Sequence, residues 1–446
     1  MEILIKAVQL ILSLSILVIL HELGHFLPAK YFKTKVEKFY LFFDPWFSLF
    51  KKKVGDTEYG VGWLPLGGYV KIAGMIDESM DKEQMKKPAE PWEFRAKPAW
   101  QRLIIMLGGV VVNLLLGFLI YSMTLYAYGD KYLPNSSLTD GVWCIDKRSR
   151  DLGFLSGDKI LSIDDEKVKQ YRLIVKKMLV AKTVTIEREG RVLSLSVPDN
   201  FIEILKQNEK SPLFYPRVPS IIKNVIKSSN AELAGLKTKD QIISINDEKI
   251  QYHDEIEGAL SLFKDSVVNI TVLREGQEIS LKTKVDLDVK IGYFPNILSL
   301  DEIEEYGVYA MNYETYSFFG SFPAGLNKAV DELSDYIKQF GLILNPNKGA
   351  IKEIGGFAAI GGLFPSKWDW ERFWNLTAFL SLMLAFLNIL PIPALDGGHV
   401  VFLFYEMVVG KPAPEKFMES AQIVGMLILL VLVVYANLND FGFWGN

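Results

Sequence analysis

The stretch AVQLILSLSILVILHELGHF, residues 7–26, decides the fold class, because an uncharged apolar run leads directly into two histidines and a glutamate. A membrane-spanning helix needs about 20 mostly apolar residues. The apolar pattern continues between the polar positions, so one helix is expected over residues 3–27, with Pro28 near its end. A signal peptide would also contain such a run, but no small-residue cleavage site follows it. The sequence therefore predicts a first transmembrane helix at residues 1–28.

Five residues at the end of this helix, His21-Glu22-Leu23-Gly24-His25, form the pattern H-E-x-x-H. Residues four apart share one face of an α-helix, so both imidazoles can bind the same zinc ion. Glu22 lies one position further on, where it can take a proton from a metal-bound water without being a ligand. Ionisable side chains in an apolar span are costly unless they are paired or coordinate a metal. The pattern therefore favours a catalytic metal site over histidines that only reach toward the membrane interface.

Three further uncharged apolar runs predict transmembrane helices at residues 99–129, 371–396 and 420–440. The chain has 446 residues, of which 50% are apolar and 23% charged, and its mean hydropathy is +0.17. These values fit membrane segments joined to ordinary globular ones. The net charge of −4 provides no basic surface for nucleic acid. The single cysteine, Cys144, excludes a disulfide framework and a multi-cysteine metal site.

Charge in the connecting segments orients the chain in the membrane. Residues 29–98 are rich in lysine, which places this loop on the cytoplasmic side by the positive-inside rule. Alternation of the spans then puts residues 130–370 outside the cytoplasm and the loop 397–419 inside. The ends of the first and third spans therefore lie at similar depth, toward the cytoplasmic face.

The two histidines need a third ligand, because a catalytic zinc ion usually has three protein ligands and one position for water. Asp396 is the best candidate, in the sequence PIPALDGGH at residues 391–399, where two prolines interrupt the third span. Irregular backbone at membrane depth is tolerated where it is buried in protein or lines a cavity. His399 competes for this role, but it lies beyond a double glycine and ranks below Asp396.

The large block contains an internal repeat, in which GDKILSIDDEKV at residues 157–168 matches KDQIISINDEKI at residues 239–250, an offset of 82 residues. Strand-like alternation around an Arg-Glu-Gly turn follows both copies. Two small α/β modules are expected at residues 130–200 and 215–290. Their pattern resembles PDZ domains of the bacterial protease type, which bind peptides by strand addition; structural modules without peptide binding are the alternative. Residues 291–370 are expected to form a connector whose amphipathic helix lies along the membrane interface or packs on the modules.

Three motifs, HELGH at 21–25, PLGGYVK at 65–71 and N-x-x-P-x-P-x-LDGG at 388–398, together resemble the site-2 protease family of intramembrane zinc metalloproteases. Within that family the chain looks like the regulator-of-sigma-E protease branch, which carries tandem PDZ domains between spans 2 and 3. The resemblance implies a polytopic α-helical membrane protein with four transmembrane helices, a membrane-associated β-hairpin and two tandem extracytoplasmic PDZ domains. It also implies a bacterial inner-membrane location, with the active site toward the cytoplasmic face.

The resemblance assigns roles residue by residue. One zinc ion (Zn²⁺) would be held by His21, His25 and Asp396, and Glu22 would be the catalytic glutamate. Substrate backbone would bind near the metal at Asn388 and along a hairpin edge at Gly60, Val61 and Gly62. An edge strand suits this task because a helix hides its scissile amides in its own hydrogen bonds. Asn113 in span 2 resembles a small-residue motif and is expected to serve helix packing.

Enzymes of this family cut single-span membrane proteins of the anti-sigma-factor type, which an upstream protease has often trimmed, and some clear signal-peptide remnants. The implied partners are therefore such a substrate, the lipid bilayer, and peptide or protein termini at the PDZ domains, but no nucleic acid. The alternative from another class is a membrane-anchored PDZ scaffold or chaperone with a structural metal, which predicts that Glu22→Gln has no effect. A metal transporter would need ionisable residues within spans 2 and 4, and those runs have none.

Overall fold

The computed structural model describes residues 1–75, 88–208, 211–345 and 354–443. Parts of the expected loop 29–98 and of the expected connector 291–370 therefore lie outside the described residues. The chain divides into two compact units. Unit 1 comprises Met1–Gly129, Thr315–Gly341 and Ala350–Asn446, and unit 2 comprises Asp130–Glu314 and Leu342–Gly349.

The described helices differ greatly in length, and the long ones belong to unit 1. In chain order they are α1 (Glu2–Tyr31), α2 (Ala99–Tyr128), α3 (Lys147–Asp151), α4 (Ile174–Met178), α5 (Phe201–Lys206), α6 (Asn230–Leu233), α7 (Ile256–Ser261), α8 (Leu300–Glu305), α9 (Phe318–Ile343), α10 (Phe357–Gly362), α11 (Trp370–Ile389), α12 (Asp396–Val409) and α13 (Glu415–Asp440). Within the described ranges, α1, α2, α11 and α13 are long and apolar enough to cross a membrane. The four helices that the apolar runs predict are therefore present as candidate membrane spans.

The strands form one sheet in unit 1 and several in unit 2. They are β1 (Val36–Val54), β2 (Thr57–Ile72), β3 (Asp130–Tyr132), β4 (Val142–Trp143), β5 (Lys159–Ile163), β6 (Glu166–Lys167), β7 (Thr183–Arg188), β8 (Arg191–Ser196), β9 (Tyr215–Pro216), β10 (Ile222–Val225), β11 (Gln241–Ile245), β12 (Glu248–Lys249), β13 (Val267–Arg274), β14 (Gln277–Lys284), β15 (Tyr293–Pro295) and β16 (Asn312–Glu314).

The third span ends earlier than expected, and a further helix follows it. Helix α11 stops at Ile389 because Pro391 and Pro393 cannot continue it. The chain then turns, and Asp396 is the first residue of α12. The expected cytoplasmic loop at residues 397–419 is therefore wrong in form: most of it is helical, with a short connection before α13.

Helix α1 continues past Pro28 to Tyr31, although a proline removes one backbone hydrogen bond inside a helix. The carbonyl that Pro28 leaves without its helical partner belongs to Gly24. That carbonyl lies directly against Gly108 of α2, where a Cβ atom would overlap it. The glycines therefore let the backbones of α1 and α2 approach closely, which is the usual role of small residues between membrane helices.

Replacing Gly108 by alanine is expected to lower stability by about 1–3 kcal/mol, the usual cost of forcing an extra methyl group into a packed interface. The new Cβ would meet backbone atoms of α1, which cannot rotate away as a side chain can. Thermal unfolding of the purified protein in detergent measures the effect. The matched control is Gly362→Ala, because a Cβ at that position meets no atom within 4 Å. Equal melting temperatures for both variants would contradict the close packing of α1 on α2.

The sheet of unit 1 is wider than the predicted hairpin. Strands β1 and β2 pair with each other, but residues 38–41 have partners on two sides, at 68–71 and at 58–61. Two residues of β1 with positive φ, Phe42 at 66° and Trp46 at 74°, lie where the register shifts and the strand bends back. The order across the sheet is residues 64–72, 36–43, 57–62 and 48–54.

Helix α9 packs against the apolar helix α11. The ring of Tyr336 contacts Phe379 and Phe386 of α11, with ring centroids 5.8 and 5.6 Å apart. The Lys328 ammonium donates to the side-chain oxygen of Asn375 in α11, at 2.8 Å. The residues of α9 up to position 341 belong to unit 1. The expected amphipathic helix of the connector is therefore present, and it packs against α11, one of the candidate membrane spans.

Unit 2 contains two modules with the same architecture. The strand order is β6-β5-β7-β8 in the first module and β12-β11-β13-β14 in the second. In each, a strand that precedes this sheet pairs with one that follows it, β4 with β9 and β10 with β15. The buried core of the first module includes Ile160, Ile163, Val184 and Ile186, and that of the second includes Ile242, Ile245, Val268, Ile270 and Val272.

A buried ion pair recurs at equivalent positions of the two modules. Asp158 and Asp240 are fully buried, and each pairs with the arginine of the Arg-Glu-Gly turn, Arg188 or Arg274, at 2.7 Å. This explains why both sequence copies place an aspartate before the first strand and an arginine at the turn, because a buried charge needs its partner. The internal repeat is therefore a duplication of structure as well as of sequence.

Candidate active site

The two histidines of the H-E-x-x-H pattern point to one place, as their spacing predicts. His21 and His25 lie one turn apart on α1 and are 8% and 6% exposed. Their Nε2 atoms are 3.3 Å apart. Two imidazole nitrogens this close and this well buried are typical of metal ligands.

Asp396, which lies far from the histidines in the sequence, completes the cluster. Its Oδ2 atom lies 3.3 Å from the Nε2 atom of His21 and 3.3 Å from that of His25. Two prolines bend the chain after α11, and the carboxylate then occupies the first turn of α12, where the helix dipole favours a negative charge. These three residues are the one group of metal-binding side chains found in the described part of the chain.

The spacing of the three atoms fits a tetrahedral zinc ion. Zinc binds imidazole nitrogen and carboxylate oxygen at about 2.0–2.1 Å, so two ligand atoms of a tetrahedron lie about 3.3–3.4 Å apart. Among the described residues, the buried Oδ2 atom of Asp396 accepts no hydrogen bond. A buried carboxylate oxygen without a donor is costly unless a cation satisfies it. The donor set and its spacing can therefore hold the ion.

Helix α2 shapes the other face of the cluster. The Nδ1 atom of His25 lies 2.8 Å from the carbonyl oxygen of Ile105, so it donates there and leaves Nε2 free as a ligand. A Cβ atom on Gly109 would overlap the Nε2 atom of His25 and crowd the ring of His21. A glycine is required there because the helix passes immediately beside the imidazoles.

Two asparagines lie against His21. The Asn388 amide nitrogen is 3.3 Å from Nε2, so the structure brings this predicted residue to the cluster. The Asn113 amide nitrogen is 3.1 Å from Nδ1. The sequence assigns Asn113 to helix packing, and in the structure its side chain also contacts a histidine of the cluster. Its position as the one carboxamide in an apolar run could have indicated this role.

Glu22 lies on the side of α1 that faces β2. It is partly buried, and a Cβ atom on Gly68 of β2 would lie 3.6 Å from its Cγ atom. The PLGGYVK motif therefore lies beside the glutamate. A carboxylate next to the cluster, but outside the three ligand atoms, is placed to exchange protons with a reacting water.

The structure does not bring Gly60, Val61 and Gly62 to a free strand edge. Gly60 is paired with Tyr40 and Lys51, and Val61 with Leu41 and Phe50. The expected edge is therefore wrong for Gly60 and Val61, because the chain folds over and pairs them on both sides, while Gly62 pairs with Ser48. Gly68, which lies against Glu22, belongs to residues 64–72, whose outer edge has no strand partner in the described parts of the chain.

His399 is also separate from the cluster. It lines a cavity of about 690 Å³ with Arg102 and Glu406, which form an ion pair between α2 and α12. The group of three side chains whose ligand atoms lie within 4.8 Å of one another includes Asp396 and does not include His399.

A second candidate site lies in the first module of unit 2. A cavity of about 440 Å³ runs between α4, at Ile174 and Val175, and the segment Pro212–Phe214 just before β9. Three cationic side chains, Arg148, Arg172 and Lys206, line it as well. An apolar groove beside a helix, with cationic residues in its lining, has the chemistry to bind an extended peptide with a free carboxylate.

Comparisons with known proteins match nearly the whole chain. A profile of peptidase family M50 matches residues 9–432. A Borreliella burgdorferi protein that carries a zinc metalloprotease name is 29% identical, over 96% of this chain and 96% of its own length. The regulator of sigma E protease of Haemophilus influenzae is 28% identical over 97% of each chain, and the metalloprotease MmpA of Caulobacter vibrioides is 26% identical over 98% of this chain and 95% of its own.

Proposed function

Because this chain belongs to peptidase family M50, the site-2 protease family of zinc metallopeptidases, we propose that it hydrolyses single-span membrane proteins within the bilayer. The observation that carries this proposal is the cluster of His21, His25 and Asp396, whose ligand atoms lie 3.3 Å apart. Both histidines and the neighbouring Glu22 belong to α1, a helix long and apolar enough to cross a membrane. A peptidase site built into such helices needs a substrate that is itself in the membrane.

The three ligands, Glu22 and Asn388 have different tasks in the proposed reaction. His21, His25 and Asp396 would hold the zinc ion, which supplies a Lewis acid for the attacking water and the scissile carbonyl. Glu22 accepts the proton of that water and passes it to the leaving amine. The side chain of Asn388 donates a hydrogen bond to the substrate backbone beside the ligands. The glutamate therefore works in both halves of the reaction.

The outer edge of residues 64–72 is the better place for the substrate backbone than Gly60–Gly62. A helical substrate must unwind before its peptide bond can be cut, and its released amides then need partners. An open strand edge supplies them. Gly68 in this segment lies against Glu22, so a substrate strand that paired with the outer edge would run past the glutamate.

The wider setting follows from the topology that the lysine-rich segment indicates. The protein would be a multi-pass protein of the bacterial inner membrane, with the modules of unit 2 outside the cytoplasm and the metal cluster toward the cytoplasmic face. Trp46 and Phe47 are exposed and stack on Trp63, which suits a sheet that dips into the membrane. Anti-sigma-factor proteins already trimmed by another protease are the proposed substrates, because the relative in Haemophilus influenzae is a regulator of sigma E protease.

The test of this proposal is to determine which peptide bond of the substrate is cut. The purified protein is reconstituted in liposomes with a tagged single-span protein, and the fragments are identified by mass spectrometry. We expect a cut inside the apolar span, and no cut when a chelator has removed the zinc. Cuts confined to the segments outside the span would show a peptidase that does not work within the membrane.

We further propose that the modules of unit 2 are PDZ domains and that the groove of the first one binds a peptide terminus. Val175→Glu would place a carboxylate among the apolar side chains of the cavity and repel the terminal carboxylate of a peptide. We expect the affinity of the full-length protein for peptides with an apolar, free C-terminus to fall at least about tenfold, roughly 1.4 kcal/mol. Fluorescence anisotropy measures it.

The matched control for this groove is Glu257→Ala, at the position of the second module that corresponds to Val175 at the repeat offset of 82 residues. It should leave the affinity unchanged. If amidated peptides bind as well as free ones, or if Val175→Glu has no effect, the modules do not bind termini, and exclusion of bulky substrates becomes their role.

A further inference from the structure

The hydrogen bonding of His21 is incomplete unless a neighbour accepts the proton of its ring nitrogen. A neutral imidazole carries its proton on one nitrogen and a lone pair on the other. The Nε2 atom of His21 takes part in the cluster, so it must offer its lone pair and the proton must be on Nδ1. The group nearest to Nδ1 is the carboxamide of Asn113, 3.1 Å away.

The two orientations of this carboxamide have opposite consequences for the cluster. With its amide nitrogen toward His21, Asn113 donates to Nδ1 and forces the proton onto Nε2, which then cannot bind a metal. With its oxygen toward His21, it accepts the proton of Nδ1 and frees Nε2. A half-turn about the Cβ–Cγ bond exchanges the two. The Oδ1 atom of Asn113 is buried and has no partner where it lies, so nothing else holds the oxygen there.

The other histidine of the cluster shows the same arrangement. The Nδ1 atom of His25 donates to the carbonyl oxygen of Ile105 on α2. Asn113 lies on the same helix, so α2 can provide one acceptor for each imidazole. Histidines that bind a metal through one ring nitrogen nearly always donate the N–H of the other nitrogen in this way, which fixes the tautomer and the ring orientation.

The backbone of Asn113 contacts α11 independently of the carboxamide. Asn113 is 0% exposed, and its backbone carbonyl oxygen accepts a hydrogen bond of 2.8 Å from the hydroxyl of Ser381 in α11. Polar side chains between membrane helices also serve as packing contacts. Here the carboxamide is directed at a metal-ligand histidine, which a packing role does not require.

We propose that Asn113 is a positioning residue: its carboxamide oxygen accepts the Nδ1 proton of His21 and keeps Nε2 available to the zinc ion. This inference rests on the proposed function, because it assumes that the cluster binds zinc. It predicts that an acceptor at position 113, and not the carboxamide itself, is what the site requires.

The test measures zinc affinity by competition with a chelator, on purified full-length protein in detergent. Asn113→Leu has a similar size and no acceptor, and we expect zinc binding about 10–100-fold weaker. Asn113→Ala is a second variant without an acceptor, for the case that leucine prevents folding, and the same loss is expected. Asn113→Asp keeps the acceptor, and we expect binding within about threefold of wild type, because a carboxylate is a good acceptor for a ligand histidine.

Ser381→Ala is the matched control, since it removes the contact with the backbone of Asn113 and leaves the carboxamide in place; its zinc affinity should be unchanged. The melting temperature of each metal-free variant shows whether the substitution disturbs packing. The absorption spectrum of each variant with cobalt in place of zinc shows whether the ligands keep their orientation. An acceptor-free variant that binds zinc as tightly as wild type, or an aspartate variant as weak as the leucine one, would overturn the inference. Wild-type protein that binds no zinc would overturn the proposed function, and the inference with it.

Discussion

The Glu22→Gln protein is expected to bind one zinc ion per chain, as the wild type does, and to hydrolyse its substrate at least about 100-fold more slowly. Glutamine has nearly the same shape as glutamate but cannot take a proton from the attacking water. Zinc binding should persist because the three ligand atoms belong to His21, His25 and Asp396. Turnover of a tagged single-span protein in liposomes and the zinc content of the same preparation measure the two quantities.

The control for this variant is Glu2→Gln, which removes an exposed carboxylate from the same helix at its far end. It should retain full activity. If Glu22→Gln cut the substrate as fast as wild type, Glu22 would not be the base. If neither protein cut the substrate although both bound zinc, the scaffold with a structural metal would gain support. If both proteins were equally active in the presence of a chelator, a contaminating protease would be the cause.

The Asp396→Ala protein is expected to bind zinc more than about 100-fold more weakly than wild type. Changes to residues that only orient a ligand cost about 10–100-fold, and loss of a ligand should cost more. Alanine removes the oxygen that lies 3.3 Å from both histidines and has no other hydrogen-bond partner among the described residues. Zinc content after dialysis, and activity measured alongside it, should fall together.

The matched control is His399→Ala, because His399 is the other side chain in this segment that can bind a metal. It should keep its zinc, since this residue lines a separate cavity. A His399→Ala protein that loses zinc while Asp396→Ala retains it would exchange the two roles and contradict the site described above.

The three residues of the cluster could be predicted as candidate metal ligands from the sequence because each follows from local rules. Helical spacing puts His21 and His25 on one face, and an apolar span makes buried histidines costly without a metal. Asp396 followed from the prolines that interrupt the third span and from the expected depth of the two segments. The two modules can also be predicted from the sequence, because the repeat places the same aspartate, turn and arginine in each copy.

The features that sequence reasoning missed depend on contacts between distant segments. The sequence does not predict helix α12, because its 14 residues are too few to cross a membrane and it forms only after the chain has turned. Nothing local in the sequence shows that β1 folds over to pair with Gly60 and Val61 on their second side. The role of Asn113 depends on a contact with His21, which lies 92 residues earlier in the chain.

The most direct test of the central claim is the dependence of cleavage on zinc occupancy. The protein is stripped with a chelator, zinc is restored in steps, and the bound zinc and the rate of cleavage of a single-span protein in liposomes are measured for each step. We predict a rate that rises in proportion to occupancy and reaches its maximum at one ion per chain. Cleavage by the zinc-free protein, or a rate that does not change as the site fills, would contradict the claim that His21, His25 and Asp396 form the centre of a zinc peptidase.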